Sequence, residues 1–494
     1  MSQIFFMFVT AFVLSLILTP LARWLGTRLK AFDYPTDRKI HVRPIPRTGG
    51  LAIIISVILT NIIFSFIYPE KRLLFVMHSQ LSILALGFIF IFLVGFLDDF
   101  KRLGPKVKFL CQILAASMAF YAGVRIETFF GINIHGIFFN IFSWAITVFW
   151  FLLIINAVNL IDGLDGLAAG VVFIAVFVLI IVCEVHGDSF TTYKLTILAG
   201  VLLGFLRYNF NPASIFMGDG GSYFLGYAIA ALSIMASAKT TLGMSILIPL
   251  VILGVPVFDT LIAPLRRFFS GKKLFYPDNK HIHHLLLSKG LTQKKVVLII
   301  YGITVALCVL ALLTIFLRNN IVTGIIVTLI VIMALIAVNK LGYLEYVILD
   351  KIIGWFRDIT DASRNSTFSG TFLTLAGELG KTDNLKSFWV KACQTFEFMQ
   401  IEAAELRIKK TAKIKSKKSS KSVEVFSWKR KNASLEGLAR LEIPVSGGNP
   451  FSAKLIIFKN LTENNIRPYT LRRIRQLRQN MEKALERIYG INKI

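Results

Sequence analysis

Cysteine is scarce in this chain, and nothing in its spacing pairs it. The four residues, Cys111, Cys183, Cys308 and Cys393, lie far apart, three of them in apolar runs. Without a CxxC there is no sign of a zinc site or a disulfide framework. Acidic residues are also few: 28 Asp and Glu against 55 Lys and Arg, a net charge of +27. On a soluble chain that imbalance would point to nucleic acid. Here it does not, because 55% of the residues are hydrophobic and mean hydropathy is +0.67; soluble proteins are about 45–50% apolar. A removable leader is missing too. The first apolar run, Ile4 to Ile17, has no basic residue before it and no small-residue cleavage site before Pro20, so it reads as a retained helix.

What is present is apolar blocks of membrane-spanning length, roughly 20 residues each. Hydropathy predicts eleven spans, at 3–23, 51–68, 79–97, 107–124, 143–159, 167–184, 194–208, 222–237, 243–264, 296–317 and 321–340. The loops they separate differ in charge. One set carries Arg28, Lys30, Arg38, Lys39, Arg43 and Arg47, then Lys101, Arg102 and Lys106, then Arg266, Arg267, Lys272, Lys273, Lys280 and Lys289. The opposite set holds only Lys71, Arg72, Arg125, Lys239 and Arg318. The positive-inside rule makes the rich set cytoplasmic and places the N-terminus outside. The expected fold is an all-α polytopic membrane protein over 1–340, followed by an interfacial helix and linker over 341–370. A cytoplasmic α+β domain is expected over 371–494. Within it, an apolar helix near 371–398 precedes strand-like alternation in "QIEAAELRI", "SVEVFSW", "LARLEIPV" and "AKLIIF". A basic amphipathic helix over about 468–489 closes it. The segment "KKTAKIKSKKSSK", with seven lysines over 409–421, reads as a solvated loop, with contact to anionic lipid as the alternative.

Every unusual polar cluster falls on the predicted cytoplasmic side. "NLIDGLDGLAAG" puts Asp162 and Asp165 beside a membrane span, where charge is costly and usually has a task. "FLDDFKRLGPKVKF" contributes Asp98 and Asp99; "FNPASIFMGDGGS" contributes Asn211 and Asp219; "PDNKHIHHLLL" contributes His281, His283 and His284; "DYPTDRKIHVRPIPRTGG" supplies basic groups. Any one of these could be a helix cap or a solvated turn. Together they define one polar face. Carboxylates in Gly-rich turns suit Mg²⁺, which one or two acids hold while phosphates complete its shell. Lys and Arg beside them suit a diphosphate, and the N–H groups of "GDGG" could point at phosphate oxygens. The chemistry expected from the residues is metal-assisted phosphoryl transfer from a soluble donor to a lipid acceptor.

At these motifs the chain resembles the polyprenyl-phosphate N-acetylhexosamine-1-phosphate transferases, the WecA/TagO/MraY group. "DRKIHVRPIPRTGG", "GFLDDFKRLGPKVKFLCQ", "NAVNLIDGLDGLAAG", "FNPASIFMGDGGSYFLG" and "DNKHIHHLL" occur in family order across roughly 1–340. The resemblance implies a bacterial inner-membrane enzyme that moves a sugar-1-phosphate from a UDP-N-acetylhexosamine to undecaprenyl phosphate. UMP is released and Mg²⁺, or Mn²⁺ in its place, is the cofactor. "HVRPIPRTGG" is similar to the WecA/TagO branch and implies UDP-GlcNAc as donor; a muramoyl-pentapeptide donor is the alternative. Membrane lipids are the other expected partners, nucleic acid is not one, and a homodimer is left open. Asp219 is then the metal ligand, and Asp98 and Asp99 sit at the lipid phosphate. Asp162 and Asp165, with Asn156, Asn159 and Asn211, line the nucleotide-sugar pocket. Lys101 and Lys108 hold phosphate charge, and the three histidines close over the diphosphate. Arg38, Lys39, His41 and Arg47 are assigned to the sugar or lipid head. Asp98 is expected to deprotonate the lipid phosphate for direct attack, with a covalent Asp intermediate as the alternative. The tail resembles a GAF-like domain in its strand–helix pattern. Two other classes compete with this reading: an ion-coupled transporter and an intramembrane aspartyl protease. The first needs acids at mid-membrane, and the second needs no metal.

Overall fold

The computed structural model describes residues 2–35, 43–69, 79–129, 132–133, 137–238, 247–269, 281–317, 321, 324–326, 328–330, 332, 372–399, 401–410, 423–430, 438–448, 451–460 and 468–489. Contacts divide the chain into two compact units, Met1–Tyr343 and Leu344–Ile494. The predicted 341–370 segment and the lysine-rich 411–422 stretch lie outside the described residues.

The first unit is a helical bundle. Its helices are α1 (Ser2–Arg28), α2 (Gly49–Ile67), α3 (Ser79–Lys101), α4 (Pro105–Tyr121), α5 (Ile137–Ile161), α6 (Leu167–Val185), α7 (Ser189–Asn209) and α8 (Gly218–Ala238). Short α9 (Leu247–Ile252), α10 (Gly254–Phe269), α11 (Ile282–Ser288) and long α12 (Gln293–Leu317) follow. Two small antiparallel pairs, β1 (Phe32–Asp33) with β2 (Ile45–Pro46) and β3 (Thr128–Phe129) with β4 (Ile132–Asn133), tie loops between helices. Helix starts follow local chemistry. Gly104 and Pro105 open α4, where a missing N–H costs nothing. The Asp188 carboxylate caps α7 by accepting from Thr191 N.

Among the described residues, seven helices are long and apolar enough to cross a membrane: α1, α2, α3, α5, α6, α7 and α12. The eleven expected spans therefore resolve unevenly. Spans four and eight correspond to α4 and α8. The expected 243–264 span is broken instead, with α9 ending at Ile252 and α10 starting at Gly254. Most of 321–340 falls outside the described residues. Side chains that face outward, such as Phe5, Phe66, Leu110 and Phe149, are large and apolar, as a lipid-facing surface requires.

Small residues set how closely helices cross. Gly50 of α2 lies against Gly221 of α8 so tightly that a Cβ there would come within 2.4 Å of the Gly221 nitrogen. Gly95 of α3 lies equally close to the Asp219 carbonyl, at 2.4 Å. Hydrogen bonds lock the same crossing: Gly49 N donates to Phe216 O (2.9 Å), Gly50 N to Met217 O (2.8 Å) and Phe216 N to Pro46 O (2.8 Å). The "PRTGG" and "FMGDGG" stretches thus form one backbone-bonded unit.

In the second unit, α13 (Phe372–Leu379), α14 (Leu385–Phe398) and α15 (Pro468–Ile488) pack on a four-stranded antiparallel sheet. Its strands are β5 (Ala403–Lys410), β6 (Val423–Lys429), β7 (Leu438–Gly448) and β8 (Phe451–Asn460), in the order β6-β5-β8-β7. Leu406 pairs with Phe426 on one side and Leu455 on the other. Leu406, Ile408, Leu455 and Ile457 are buried with Phe388, Phe396, Leu477 and Leu485. The expected single helix over 371–398 is two helices. The first ends at Leu379, and Asn384 caps the second by accepting from Ser387 N at 2.7 Å.

Candidate active site

Four side chains from four helices meet at one end of the bundle. Asp98, at the end of α3, pairs with Lys108 of α4 and also accepts from Leu103 N at 2.6 Å. The same Lys108 ammonium lies 3.6 Å from Asp219 Oδ2, at the start of α8. Asn159, at the end of α5, donates to Asp219 Oδ1 at 3.0 Å and to Ser222 Oγ at 3.0 Å. The carboxyl groups of Asp98 and Asp219 thus face one shared ammonium. Two acids in contact need a proton or a cation between them.

Asp99 has a different task. Its carboxylate accepts from Asp219 N (2.9 Å) and Gly220 N (3.1 Å), capping α8. Arg47 approaches it at 3.9 Å and Asp33 at 3.5 Å. Burial works against the Arg47 charge, but Asp33, Asp99, Asp219 and Asp162 outweigh it and raise its pKa. The structure thus places Asp99 and Arg47 behind Asp219, where they hold it. It also corrects the phosphate-cradle reading of "GDGG": its first N–H groups are already bonded to Asp99, and its glycines admit α2 and α3. Gly218, at φ +73°, turns the chain where a Cβ would meet Arg47 O and the Asp99 carboxylate.

The loop between α5 and α6 stands beside this group. Asp162 lies within electrostatic reach of Asp219, Asp99 and Arg47, and its pKa is raised well above the ordinary carboxylate value, by burial first and then by the charge of Asp219. Asp165 is buried and accepts from Asn211 Nδ2 (3.0 Å) and Ala213 N (2.9 Å). Asn211 also donates to Gln293 of α12 at 3.0 Å. Asp165 and Asn211 therefore brace the chain leading to Asp219. Asn156 donates to Gln112 Oε1 at 2.8 Å, one helical turn from Asn159.

The histidine motif closes on the same loop. A Cβ on Gly163 would lie 3.0 Å from His283 Nε2. His283 and His284 rings are 4.3 Å apart, and His281 stacks 6.0 Å from His283. Burial, with the neighbouring imidazoles, lowers the His283 pKa to about 3. His283 is neutral at pH 7, so it meets a ligand as a hydrogen-bonding group and not as a cation. Burial also lowers His284.

Sequence reasoning missed three supports. Asp259 of α10, buried at 1% exposure, lies 3.3 Å from His281 Nδ1 and accepts from Ile282 N at 3.2 Å. Tyr301 of α12 donates to Gly166 O at 2.5 Å, and Gln293 holds Asn211. Asp259 sat inside an expected span, and an acid there was the available signal. The expected residue Lys101 is exposed and stands outside the cluster. Arg38, Lys39 and His41 lie outside the described residues.

For a divalent cation, the donor set has one clear character. Among the described residues, no group of three His, Cys, Asp or Glu could hold a metal. A pair of contacting carboxyls with an adjacent lysine fits Mg²⁺, which takes one or two carboxylates and completes its shell with substrate phosphates.

Comparison with known proteins identifies the family. The profile of glycosyl transferase family 4 matches residues 81–237. The chain is 39% identical over 303 residues to a Bacillus subtilis (strain 168) protein named "Probable undecaprenyl-phosphate N-acetylglucosaminyl 1-phosphate transferase", covering 61% of this chain and 82% of that one. It is 34% identical over 315 residues to the decaprenyl-phosphate N-acetylglucosaminephosphotransferase of Mycobacterium tuberculosis (strain ATCC 25618 / H37Rv), covering 59% and 78%. It is also 35% identical over 318 residues to the phospho-N-acetylmuramoyl-pentapeptide-transferase of Staphylococcus carnosus (strain TM300), covering 60% and 94%. The chain belongs to glycosyl transferase family 4.

Proposed function

We propose that this chain transfers N-acetylglucosamine-1-phosphate from UDP-GlcNAc to a polyprenyl phosphate, with undecaprenyl phosphate as the acceptor, and releases UMP. The product is a lipid diphosphate sugar, the first membrane intermediate of a cell-surface glycan. The enzyme sits in the bacterial inner membrane with this site on the cytoplasmic side, as the loop charges indicate. The observation that carries the reading is the meeting of Asp98, Lys108, Asn159 and Asp219, with the Asp162 loop and His283 alongside. The relatives named for this transfer support the choice of donor and acceptor.

The acceptor phosphate attacks the β-phosphorus of the donor. The bond from that phosphorus to the bridging oxygen breaks, and UMP leaves with the electron pair. A phosphate monoester is largely dianionic at pH 7, its second pKa being about 6, so the nucleophile needs little activation. Asp98, paired with Lys108 and bonded to Leu103 N, is a poor candidate for the general base expected from the sequence. Its pairing with Lys108 sets the position of the ammonium, which neutralises phosphate charge. Mg²⁺ would be held by Asp219 and Asp98 and would supply charge neutralisation on the diphosphate. Asp99 and Arg47 keep Asp219 in place, and Asp165, Asn211 and Tyr301 keep the 162–166 loop in register. Neutral His283, fixed over Gly163, offers a hydrogen bond from the opposite side.

The test is UMP release by purified protein in detergent with UDP-GlcNAc, polyprenyl phosphate and Mg²⁺. Release must require all three, and competing UDP-sugars should be poorer donors. Release from the donor without lipid acceptor, or none under any condition, would overturn the reading.

A further inference from the structure

Beneath the charged cluster lies a second polar tier that no role yet described uses. Lys108 meets Asp219 across α4 and α8, and one level deeper Tyr227 of α8 donates to Ala115 O of α4 at 3.1 Å. Between these two contacts, each helix advances one turn and presents one residue on the same face. On α4 that residue is Gln112, and on α8 it is Tyr223. The adjoining helix α5 repeats the step. Asn159 bonds Asp219, and Asn156, nearly one turn deeper, donates to Gln112 Oε1 at 2.8 Å.

Both Gln112 and Tyr223 are buried, at 1% and 2% exposure. The Asn156 bond fixes the oxygen of the Gln112 amide, which leaves its NH₂ group to donate. Among the described residues neither that NH₂ nor the Tyr223 hydroxyl has a hydrogen-bond partner. Neither is among the fully sealed unpartnered polar atoms of the described residues. The Tyr223 hydroxyl also lies within electrostatic reach of Asp219, Asp98 and Asp99. Unpaired donors inside an apolar bundle are costly unless something accepts from them.

We propose that Gln112 and Tyr223 form a neutral donor subsite for the phosphate of the lipid acceptor, one helical turn, about 5 Å, to the membrane side of the acid pair. The proposal rests on the transferase reading above. The subsite's chemistry suits a phosphate monoester: two uncharged groups donate to its oxygens without neutralising the charge it needs for attack. Its depth suits a ligand whose tail remains in the bilayer, and a nucleotide donor approaching from water would meet Lys108 and the 162–166 loop first. Asn156 acts here as a positioning residue, because it sets which end of the Gln112 amide faces the space.

The test compares Tyr223→Phe, Gln112→Glu and Asn156→Ala with the unaltered full-length protein. Binding of a short-chain isoprenyl phosphate, and of the matching isoprenyl alcohol, is measured in detergent without UDP-sugar; KM values for acceptor and donor are measured separately. The expected result is an acceptor KM and isoprenyl phosphate Kd raised about tenfold by Tyr223→Phe, the size of one lost hydrogen bond to a charged group. Gln112→Glu, which adds a repelling charge, should weaken phosphate binding further. Donor KM should stay within about twofold in Tyr223→Phe and Gln112→Glu, and the alcohol should bind these variants and the parent equally. Thermal unfolding of Tyr223→Phe unchanged from the parent excludes a folding defect. Unchanged phosphate affinity in both Tyr223→Phe and Gln112→Glu overturns the subsite, as does a loss that falls on donor KM alone. A protein that binds isoprenyl phosphate through these residues yet releases no UMP overturns the transferase reading and leaves the subsite standing.

Discussion

Asp98, Asp99, Asp162, Asp165 and Asp219 share one end of the bundle, but their partners separate their tasks. Asp219→Asn removes a carboxylate from the proposed cation pair while leaving its hydrogen bonds feasible, so turnover should fall about a hundredfold or more with unfolding temperature nearly unchanged. Asp99→Ala should do something else. It leaves two α8 N–H groups uncapped, costing about 1 kcal/mol of stability. It also lets Asp219 drift, where a displacement of about 1 Å can cost roughly a hundredfold in rate. Thermal unfolding and turnover measured on the same samples separate the two variants. His283 carries a pH consequence. Its folded pKa of about 3 lies below the ordinary value of about 6.5, so the unfolded chain binds the extra proton first. The stability it contributes is complete above pH 6.5 and is lost as pH falls from there toward 3. Melting temperature followed from pH 7.5 to 5 should decline less steeply in His283→Asn than in the parent.

At the scale of elements, the helices that bear the acids were legible from hydropathy, and their packing was not. Period and length mark α1, α2, α3, α5, α6, α7 and α12, because a lipid-facing helix must be apolar along its length. The same signal overran the break at Leu253, because α9 and α10 are both apolar; Pro256, with no N–H to continue the ladder, was the available sign. It also merged α13 with α14, although Gly380 just after α13 and Asn384 capping α14 were both there to read. In the second unit all four strands follow the alternation seen in the sequence. The site shows the same division. Motif residues could be gathered onto one face, but the partition between cluster members (Asp98, Asp219) and their supports (Asp99, Asp165) required knowing which N–H groups lie opposite. Gly50→Ala tests the packing directly. A methyl there meets the Gly221 backbone, so it should destabilise by about 1–3 kcal/mol and depress turnover, although residue 50 bears no functional group.

At the scale of the whole molecule, the orientation proposed from loop charge can be measured. Single cysteines at Arg102 and Lys289 should react with an impermeant thiol reagent only in opened cells. Cysteines at His186 and Arg125 should react in intact ones. Removal of divalent cations with a chelator should abolish UMP release, and Mg²⁺ should restore it while leaving isoprenyl phosphate binding intact. A transporter of this size would place its acids along a central path. Here Asp259, the acid of the interrupted segment, is engaged with His281 and Ile282 N.

The contact of Gly50 and Gly95 with the first turn of α8 has a consequence for how such an enzyme can diversify. Two helices pinch the first turn that carries Asp219, and that pivot can neither swing nor slide without parting the bundle. Under the proposed function, adaptation to a different sugar must therefore come from the loops at that end of the bundle, while the Asp219 anchor stays mechanically fixed.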